Sequence, residues 1–383
     1  MGQKALARFA PDESAPRTLT QENSRMESPK RPKRPYSSGD PAIDASLRKL
    51  VEGLDPIDAE LVFEMMATAM RLAKDPIGRL DRKIVNTALK EMRYAFSVFG
   101  GYRHQRKVTI FGSSRTAKGD PSYELTRRFS LAASERGWMV ITGAGPGIME
   151  AGNEGAGGAH SFGVNIVLPF ESKANPFIAG DPKLMNFKYF FTRKLMFIKE
   201  SDAFVLLPGG FGTLDEAFEL LTLIQTGKSD LHPIIMLDVP GGTYWKSFDT
   251  YLREQLAARG FINTSDLSLF VYTDDIDEAV AEIEKFYRVY HSQRYVKDRL
   301  VFRLNMAPSD ADLRRLSGEF SDILDSPIER VEPSPGEIRD NDYLELARIS
   351  LDFDRMHAGR LRRLVDELND LEPGVATQIQ GPA

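Results

Sequence analysis

The chain has 383 residues, 42% of them hydrophobic, a formal net charge of −5 and no cysteine. That length allows two or three domains, and the small negative charge gives no general attraction to nucleic acid or to a membrane surface. Without cysteine, disulfides, thiolate zinc sites and a cysteine nucleophile are excluded, and since no histidine pair has metal-ligand spacing we expect a metal-free, cytoplasmic protein.

Two segments precede the main body of the chain. Residues 1–40 are polar and contain several prolines and a basic cluster at 28–35, which predicts a disordered tail. Apolar residues recur at helical spacing across 41–104 and predict three helices. We expect this helical extension to pack on the following domain or to build an oligomer contact. Its methionines suit a binding groove or, more simply, a helix core.

The central region, residues 105–292, alternates apolar runs of strand length with helical patterns. That alternation predicts a Rossmann-like, doubly wound α/β domain, in which helices cover both faces of a parallel sheet. Glycine-containing turns follow the first, second and fourth predicted strands, so they would open together at the carboxyl edge, where such folds bind ligands. The predicted strands are 107–111, 138–142, 162–168, 202–207, 233–237 and 267–272.

Residues 293–372 have a different order of predicted elements, which is strand, helix, strand, strand and helix. This order predicts a small α+β module with an antiparallel sheet, of the ferredoxin or ACT type. A regulatory or dimerising role is the expectation for such a module, and no ligand-binding constellation appears in it. Residues 373–383 are predicted to form a second disordered tail.

Residues 208–216 read Pro-Gly-Gly-Phe-Gly-Thr-Leu-Asp-Glu and stand between a strand-like run and a helical one. Strand, glycine turn and helix together form the arrangement in which free backbone N–H groups face an anion. Three glycines let a phosphate approach the main chain, and Thr213 adds a hydroxyl. Glu216 would repel a phosphate unless it acts on a neighbouring atom; the alternative is a simple helix cap.

A second glycine turn, residues 143–147, matches a dinucleotide fingerprint only in part. The G-x-G-x-x-G form needs glycine at position 148, where Ile148 stands, and it belongs after the first strand rather than the second. A nicotinamide-dependent enzyme is therefore the weaker interpretation, and no cofactor is expected.

These residues resemble the LOG ("Lonely Guy") family, long labelled lysine decarboxylase-like. Residues 208–216 match its PGGxGTxxE signature, and its M-x-x-R-K element aligns with 190–194, where Phe190 replaces methionine while Arg193 and Lys194 are kept. The spacing from Arg193 to Glu216 is also that of the family. The resemblance covers residues 105–292, and the flanking segments suggest a longer bacterial branch.

The resemblance implies hydrolysis of the N-glycosidic bond of a purine nucleoside 5′-monophosphate, such as AMP or a cytokinin riboside monophosphate, to free base and ribose 5-phosphate. Such cleavage passes through an oxocarbenium-like transition state. Arg193 and Glu216 are then the catalytic residues, and Glu216 stabilises the charge and orients or deprotonates the water. The implied substrate contacts are Ser113, Gly145, Lys194, Gly209, Gly210, Phe211, Gly212, Thr213, Leu214, Asp215 and Thr222.

Other interpretations stay open at this point. A non-catalytic nucleotide sensor would use the same phosphate turns, although it would not need both Arg193 and Glu216. Asn175 stands where relatives can carry an acidic substrate contact, which leaves recognition of the base open. Phe190 and Phe191 would either stack on a purine or pack in the core. Pyridoxal-dependent decarboxylation is rejected because nothing marks a Schiff-base lysine.

The expected partners follow from the same resemblance. Family members are typically dimers that pair helices near the active site, so we expect a homodimer or a higher homo-oligomer. The small-molecule partner would be the nucleoside 5′-monophosphate itself. Neither a membrane nor nucleic acid is an expected partner, since the net charge is weakly negative and no apolar run approaches the roughly 18 residues of a membrane span.

Overall fold

A computed structural model describes residues 36–168 and 173–372, and the chain divides into two compact units between Arg82 and Lys83. Most of the first predicted tail and all of the second lie outside the described residues.

The first unit contains helices α1 (Pro41–Leu50) and α2 (Pro56–Lys74). Each helix begins with a proline directly after an aspartate N-cap, and the carboxylate of that aspartate accepts hydrogen bonds from amides of the first turn. Val51, Phe63 and Ala67 form a small buried core. The helical periodicity of the sequence is confirmed in this unit.

The second unit is built on a parallel sheet of seven strands in the described residues. They are β1 (Lys107–Phe111), β2 (Met139–Thr142), β3 (Ser161–Ile166), β4 (Leu184–Phe187), β5 (Ala203–Leu206), β6 (Ile234–Leu237) and β7 (Val271–Thr273). Their spatial order is β4-β3-β2-β1-β5-β6-β7. Helix α3 (Arg79–Gly100) starts just before the boundary and continues in this unit up to β1. The helices that follow are α4 (Pro121–Glu135), α5 (Ile148–Ala156), α6 (Phe190–Glu200), α7 (Phe211–Gln225), α8 (Tyr244–Tyr251) and α9 (Ile276–Phe286). The predicted Rossmann-like, doubly wound fold is confirmed.

The central strands of this sheet explain where a ligand can bind. β1, β2, β5 and β6 are buried along their whole length, which matches their near-continuous apolar runs. β1 pairs with β2 on one side and with β5 on the other, so the chain changes direction across the sheet there. The turns after β1, β2 and β5 consequently open side by side at the carboxyl edge.

A second, antiparallel sheet follows. Its strands are β8 (Tyr290–Val296), β9 (Arg299–Leu304), β10 (Glu329–Arg330) and β11 (Ala347–Leu351), in the order β10-β11-β9-β8. The accompanying helices are α10 (Asp310–Glu319), α11 (Pro335–Asp340) and α12 (Ala358–Asn369). The predicted antiparallel α+β module is confirmed, but its order differs from the expected ferredoxin-type one. A β8–β9 hairpin precedes α10, and α11 divides β10 from β11.

Three local predictions need correction. Neither the polar strand β8 nor the short strand β4 was predicted. Residues 267–272 were predicted as a strand, but a 3-10 turn occupies Thr264–Leu269 and only Val271–Thr273 is extended. The reason is a capping box, in which Asn263 and Asp266 exchange side-chain-to-backbone hydrogen bonds and start the turn.

The described residues contain neither a membrane-spanning helix nor a cluster of metal-ligating side chains. No helix within 36–168 and 173–372 is both long enough and apolar enough to cross a membrane. The same part of the chain contains no group of His, Asp or Glu side chains that could hold a metal ion.

Candidate active site

A cleft of about 1270 Å³ lies at the carboxyl edge of the parallel sheet, and the turns after β1, β2 and β5 line it. Most of the predicted site residues are brought together here. Those in the lining are Ser113, Gly145, Arg193, Gly209, Gly210, Phe211, Gly212, Thr213, Leu214, Asp215 and Glu216. The geometry of each group decides what the cleft can do.

Helix α7 begins directly after the glycine turn, with Gly210 as its N-cap and no side chain bonded to its first amides. The amides of Thr213 and Leu214 both donate to the Gly210 carbonyl oxygen, at 3.1 Å each. Amides that come earlier have no partner within a helix, and here they lie at its positive end, in the lining of the cleft. This end of α7 is therefore suited to bind an anion such as a phosphate.

The three glycines of this turn have different surroundings. A β-carbon at Gly209 would overlap the Thr213 hydroxyl and lie 3.1 Å from the Ser113 amide nitrogen, so packing within the protein requires glycine there. A β-carbon at Gly210 or Gly212 would meet no atom within 4 Å. Because the protein leaves that space open, the missing side chains at Gly210 and Gly212 give a ligand room to approach the main chain.

Hydrogen bonds join this turn to the turn after β1, and that turn to the one after β2. The Ser113 amide donates to the Pro208 carbonyl oxygen at 3.2 Å, and the Ile148 amide donates to the Ser113 carbonyl oxygen at 3.0 Å. Gly147 has a φ of +70°, and a β-carbon there would overlap the Ser113 carbonyl oxygen, so both conformation and space require glycine. The three turns are thus held together by the main chain.

Glu216 lies in the second turn of α7, is only 8% exposed and lines the cleft. Burial raises the pKa of its carboxyl group above the usual range, while Lys194 and Arg193 act in the opposite direction. Lys194 Nζ lies 3.3 Å from Glu216 Oε2. It also lies 2.9 Å from Asp215 Oδ2 and 2.5 Å from Glu219 Oε2. The ammonium group of Lys194 therefore forms ion pairs with three carboxylates of α7.

Arg193, on α6, contacts a residue of β3 and a ring of its own helix. Its Nε donates to the Val164 carbonyl oxygen at 2.9 Å, and its guanidinium lies 5.0 Å from the centre of the Phe197 ring. A β-carbon at Gly143 would overlap the guanidinium. Burial lowers the pKa of Arg193 and Glu216 raises it, but a guanidinium stays charged in proteins. No carboxylate of the described residues lies within 4.0 Å of it, and Arg193 lines the cleft.

Asn175 is buried and holds the glycine turn after β2 in place. Its Nδ2 donates to the Gly145 carbonyl oxygen at 3.1 Å and to Asn153 Oδ1 at 2.9 Å. Its backbone amide donates to the carbonyl oxygen of Ala144, a residue with a φ of 59°. An aspartate has no N–H to donate to these acceptors. The amide in place of an acid is therefore explained by support of the turn.

Some predicted contacts lie elsewhere. Lys194, for which the resemblance implied a substrate contact, is outside the cleft lining and pairs with the carboxylates of α7. Thr222, also an implied contact, is exposed on α7 outside the lining. Phe190 and Phe191 are 53% and 55% exposed, so core packing was wrong for both. Phe190 lines the cleft, whereas Phe191 stacks on the Tyr189 ring at 5.5 Å.

Tyr244 and Asn165 are among the lining residues that the sequence analysis did not single out. Tyr244 starts α8, and its hydroxyl donates to the Gly209 carbonyl oxygen at 2.7 Å. Asn165, on β3, is 7% exposed, and its Nδ2 donates to Asn186 Oδ1 at 2.9 Å. A signal was present for both, because each lies at or just beyond the carboxyl end of a parallel strand, where ligand-binding residues gather.

The fold and the cleft define a class: a Rossmann-like α/β protein with an anion-binding helix end, a buried carboxylate and an arginine in the same cleft. The family model described as "Possible lysine decarboxylase" matches residues 147–283. The chain is 31% identical over 200 residues to the probable cytokinin riboside 5'-monophosphate phosphoribohydrolase LOGL3 of Oryza sativa subsp. japonica, a match that covers 50% of this chain and 88% of that protein. It is 29% identical over 189 residues to the cytokinin riboside 5'-monophosphate phosphoribohydrolase LOG7 of Arabidopsis thaliana, covering 47% and 82%.

On this similarity the chain belongs to the LOG family, as residues 190–194 and 208–216 predicted. Among solved structures, the molybdenum cofactor carrier protein from Chlamydomonas reinhardtii is similar at 18% identity and a TM-score of 0.34, covering 48% of this chain and 98% of that one. A TM-score at that level supports no inference about ligand or activity.

Proposed function

We propose that this chain hydrolyses the N-glycosidic bond of purine nucleoside 5′-monophosphates, AMP or a cytokinin riboside monophosphate, to free base and ribose 5-phosphate. The observation that carries the proposal is one helix, α7, whose anion-binding end and buried Glu216 both face the same cleft. The glycine turn by itself would support binding only. The names of the matched relatives, cytokinin riboside 5'-monophosphate phosphoribohydrolases, support the same reaction.

In the proposed complex the 5′-phosphate lies against the amides of residues 210–212 and the hydroxyl of Thr213. The ribose then extends toward Glu216. As the bond between C1′ and the base nitrogen breaks, positive charge develops on the ribose, and the Glu216 carboxylate stabilises it and takes a proton from the attacking water. The water oxygen joins C1′ with one proton, and the other proton passes to the departing base.

Two cations on α6 have different parts in this scheme. Arg193, half-buried and without a carboxylate within 4.0 Å among the described residues, supplies positive charge to the anionic substrate. Lys194 favours the ionised form of Glu216, because its ammonium opposes the rise in the Glu216 pKa that burial causes. A protonated Glu216 could neither stabilise an oxocarbenium ion nor accept a proton, so the pair Lys194 and Glu216 acts as a unit.

Incubation of the purified protein with AMP tests the proposal directly, with adenine and ribose 5-phosphate as the measured products. Comparing kcat/KM for AMP, GMP, CMP, UMP and isopentenyl-AMP then identifies the preferred base. If AMP raises the melting temperature but no product forms, the chain is a non-catalytic nucleotide sensor and the hydrolase proposal is wrong.

Glu216→Gln should keep AMP binding and lose turnover by about 10²–10⁴-fold, since an amide cannot accept the proton. Glu254→Gln is the matched control, because Glu254 is exposed and outside the cleft lining. It should turn over AMP at the wild-type rate. Equal activity in Glu216→Gln and Glu254→Gln would remove Glu216 from its proposed role.

We also propose that the chain forms a homodimer or a higher homo-oligomer. Phe191 and Leu195 on α6 and Phe218 on α7 are 55%, 42% and 37% exposed, which supports burial of these helices against a second copy. Light scattering across a concentration series measures the molar mass. A monomer at every concentration would contradict this proposal and leave the catalytic one untouched.

A further inference from the structure

The carbonyl group of Gly209 is anchored by a side chain that comes from a distant part of the chain. Tyr244 donates its hydroxyl hydrogen to the Gly209 carbonyl oxygen at 2.7 Å, and both residues line the cleft. One residue earlier, the Pro208 carbonyl oxygen accepts from the Ser113 amide at 3.2 Å. Two successive carbonyl groups of the glycine turn are therefore held by donors within the protein.

A carbonyl group that is held also fixes the amide on the other side of its peptide plane. The peptide bond between Gly209 and Gly210 is planar and trans, so the C=O of Gly209 and the N–H of Gly210 point in opposite directions. Anchoring the oxygen on Tyr244 therefore turns the Gly210 N–H away from Tyr244. Gly210 is the N-cap of α7, so this N–H joins the free amides at the positive end of the helix.

We propose that Tyr244 is a positioning residue that locks the Gly209–Gly210 peptide so that an amide, and not a carbonyl oxygen, faces the substrate phosphate. The inference rests on the proposed function, because it takes the ligand of the cleft to be a phosphate ester. Neither glycine has a side chain to resist rotation of the peptide plane. A rotated plane would direct the oxygen of Gly209 at the phosphate, and two negatively polarised groups would then repel each other.

The surroundings of Tyr244 suit it to this task. Its amide donates to Asp238 Oδ2 at 3.2 Å, and its ring meets the Trp245 ring edge-on with 4.8 Å between centres. Trp245 is fully buried, and its Nε1 donates to the Leu237 carbonyl oxygen at the end of β6. The hydroxyl is thus tied to the strand next to β5. Burial raises the pKa of Tyr244, so the phenol keeps its proton and remains a donor at neutral pH.

Tyr244→Phe removes the donor and keeps the ring. Calorimetric titration with ribose 5-phosphate, which contains the phosphate but no bond to cleave, should show affinity weakened by about 3–10-fold. Steady-state assays with AMP should show KM raised by a similar factor at unchanged kcat, because the lost interaction is made equally with substrate and transition state. Tyr251→Phe, on the exposed end of the same helix, should behave as wild type in both assays.

Three results would overturn the inference. One is ribose 5-phosphate affinity in Tyr244→Phe equal to that of wild type and Tyr251→Phe. The second is a fall in kcat at unchanged KM, which would place Tyr244 in the chemical step. The third is a large drop in melting temperature, which would make Tyr244 a structural residue. If wild type fails to cleave AMP but Tyr244→Phe still weakens ribose 5-phosphate binding, the hydrolase proposal fails and the Tyr244 inference stands.

Discussion

Adding one methyl group to the glycine turn should separate the fold of this protein from its ligand binding. Gly212 is the second residue of α7, and a β-carbon there would meet no atom within 4 Å. Gly209, three residues earlier, has no such room, since a β-carbon would lie 2.7 Å from Thr213 Cβ. The substitutions Gly212→Ala and Gly209→Ala are therefore a matched pair with opposite expectations.

Gly212→Ala should leave the fold as stable as wild type or slightly more stable. Alanine is favoured over glycine in a helix by about 0.8–1 kcal/mol, which corresponds to an increase in melting temperature of at most about 2–4 °C for a unit of this size. The same methyl group enters the space beside the free amides of the cleft. Loss of one charged hydrogen bond to phosphate, about 1.5–3 kcal/mol, should raise the KM for AMP by about tenfold or more.

Gly209→Ala should instead destabilise the fold, because the new methyl group overlaps Thr213; overpacking of this kind costs about 1–3 kcal/mol. Thermal melting of both variants and ribose 5-phosphate titration measure the two effects independently of turnover. Wild-type affinity in Gly212→Ala would show that no ligand uses the open space. A melting temperature in Gly212→Ala as low as that of Gly209→Ala would show that both glycines serve packing alone.

Two further substitutions test the residues that support the cleft. Lys194→Met removes the cation that lowers the pKa of Glu216, so the loss of AMP turnover on acidification should begin at a higher pH than in wild type. Lys199 is an exposed lysine of the same helix, and Lys199→Met should leave the pH–rate profile unchanged. An unshifted profile in Lys194→Met would show that Lys194 does not control Glu216. Asn175→Asp replaces an amide that donates two hydrogen bonds with a carboxylate that would face the same two acceptor oxygens. Thermal melting should therefore show a free energy of unfolding lower by about 1–3 kcal/mol. Wild-type stability would mean that the Asn175 amide does not hold the turn.

The position of the cleft could be predicted because it depends on local sequence signals. Apolar runs such as 107–111 and 202–207, alternating with helical patterns, predict buried strands of a covered parallel sheet, and the turns after them then open at one edge. The stretch 208–216 places free amides and an acid within the first two turns of one helix. Those relations follow from helix and strand geometry, so neighbours in sequence remain neighbours in the fold.

Roles that depend on contacts between distant segments were not accessible in the same way. Lys194 was expected at the substrate, but the crossing of α6 and α7 brings its ammonium to three carboxylates instead. Asn175 looked like a lost acidic contact until its bonds to the turn after β2 were seen. Tyr244 carries no signature of its own, since 35 residues separate it from the carbonyl group it anchors.

The sequence by itself determined the class of fold, the glycine turn and the acid on its helix, because each of these depends on residues within one or two adjacent elements. Only the tertiary structure decided which groups surround that acid and which donors orient the peptide planes of the turn. Strand order and helix crossing set those distances, and a hydrogen bond or an ion pair depends on differences of a few tenths of an ångström. The glycines illustrate the division: three of them stand together in residues 208–216, but the structure shows that Gly209 is required by Thr213 while Gly210 and Gly212 face open space.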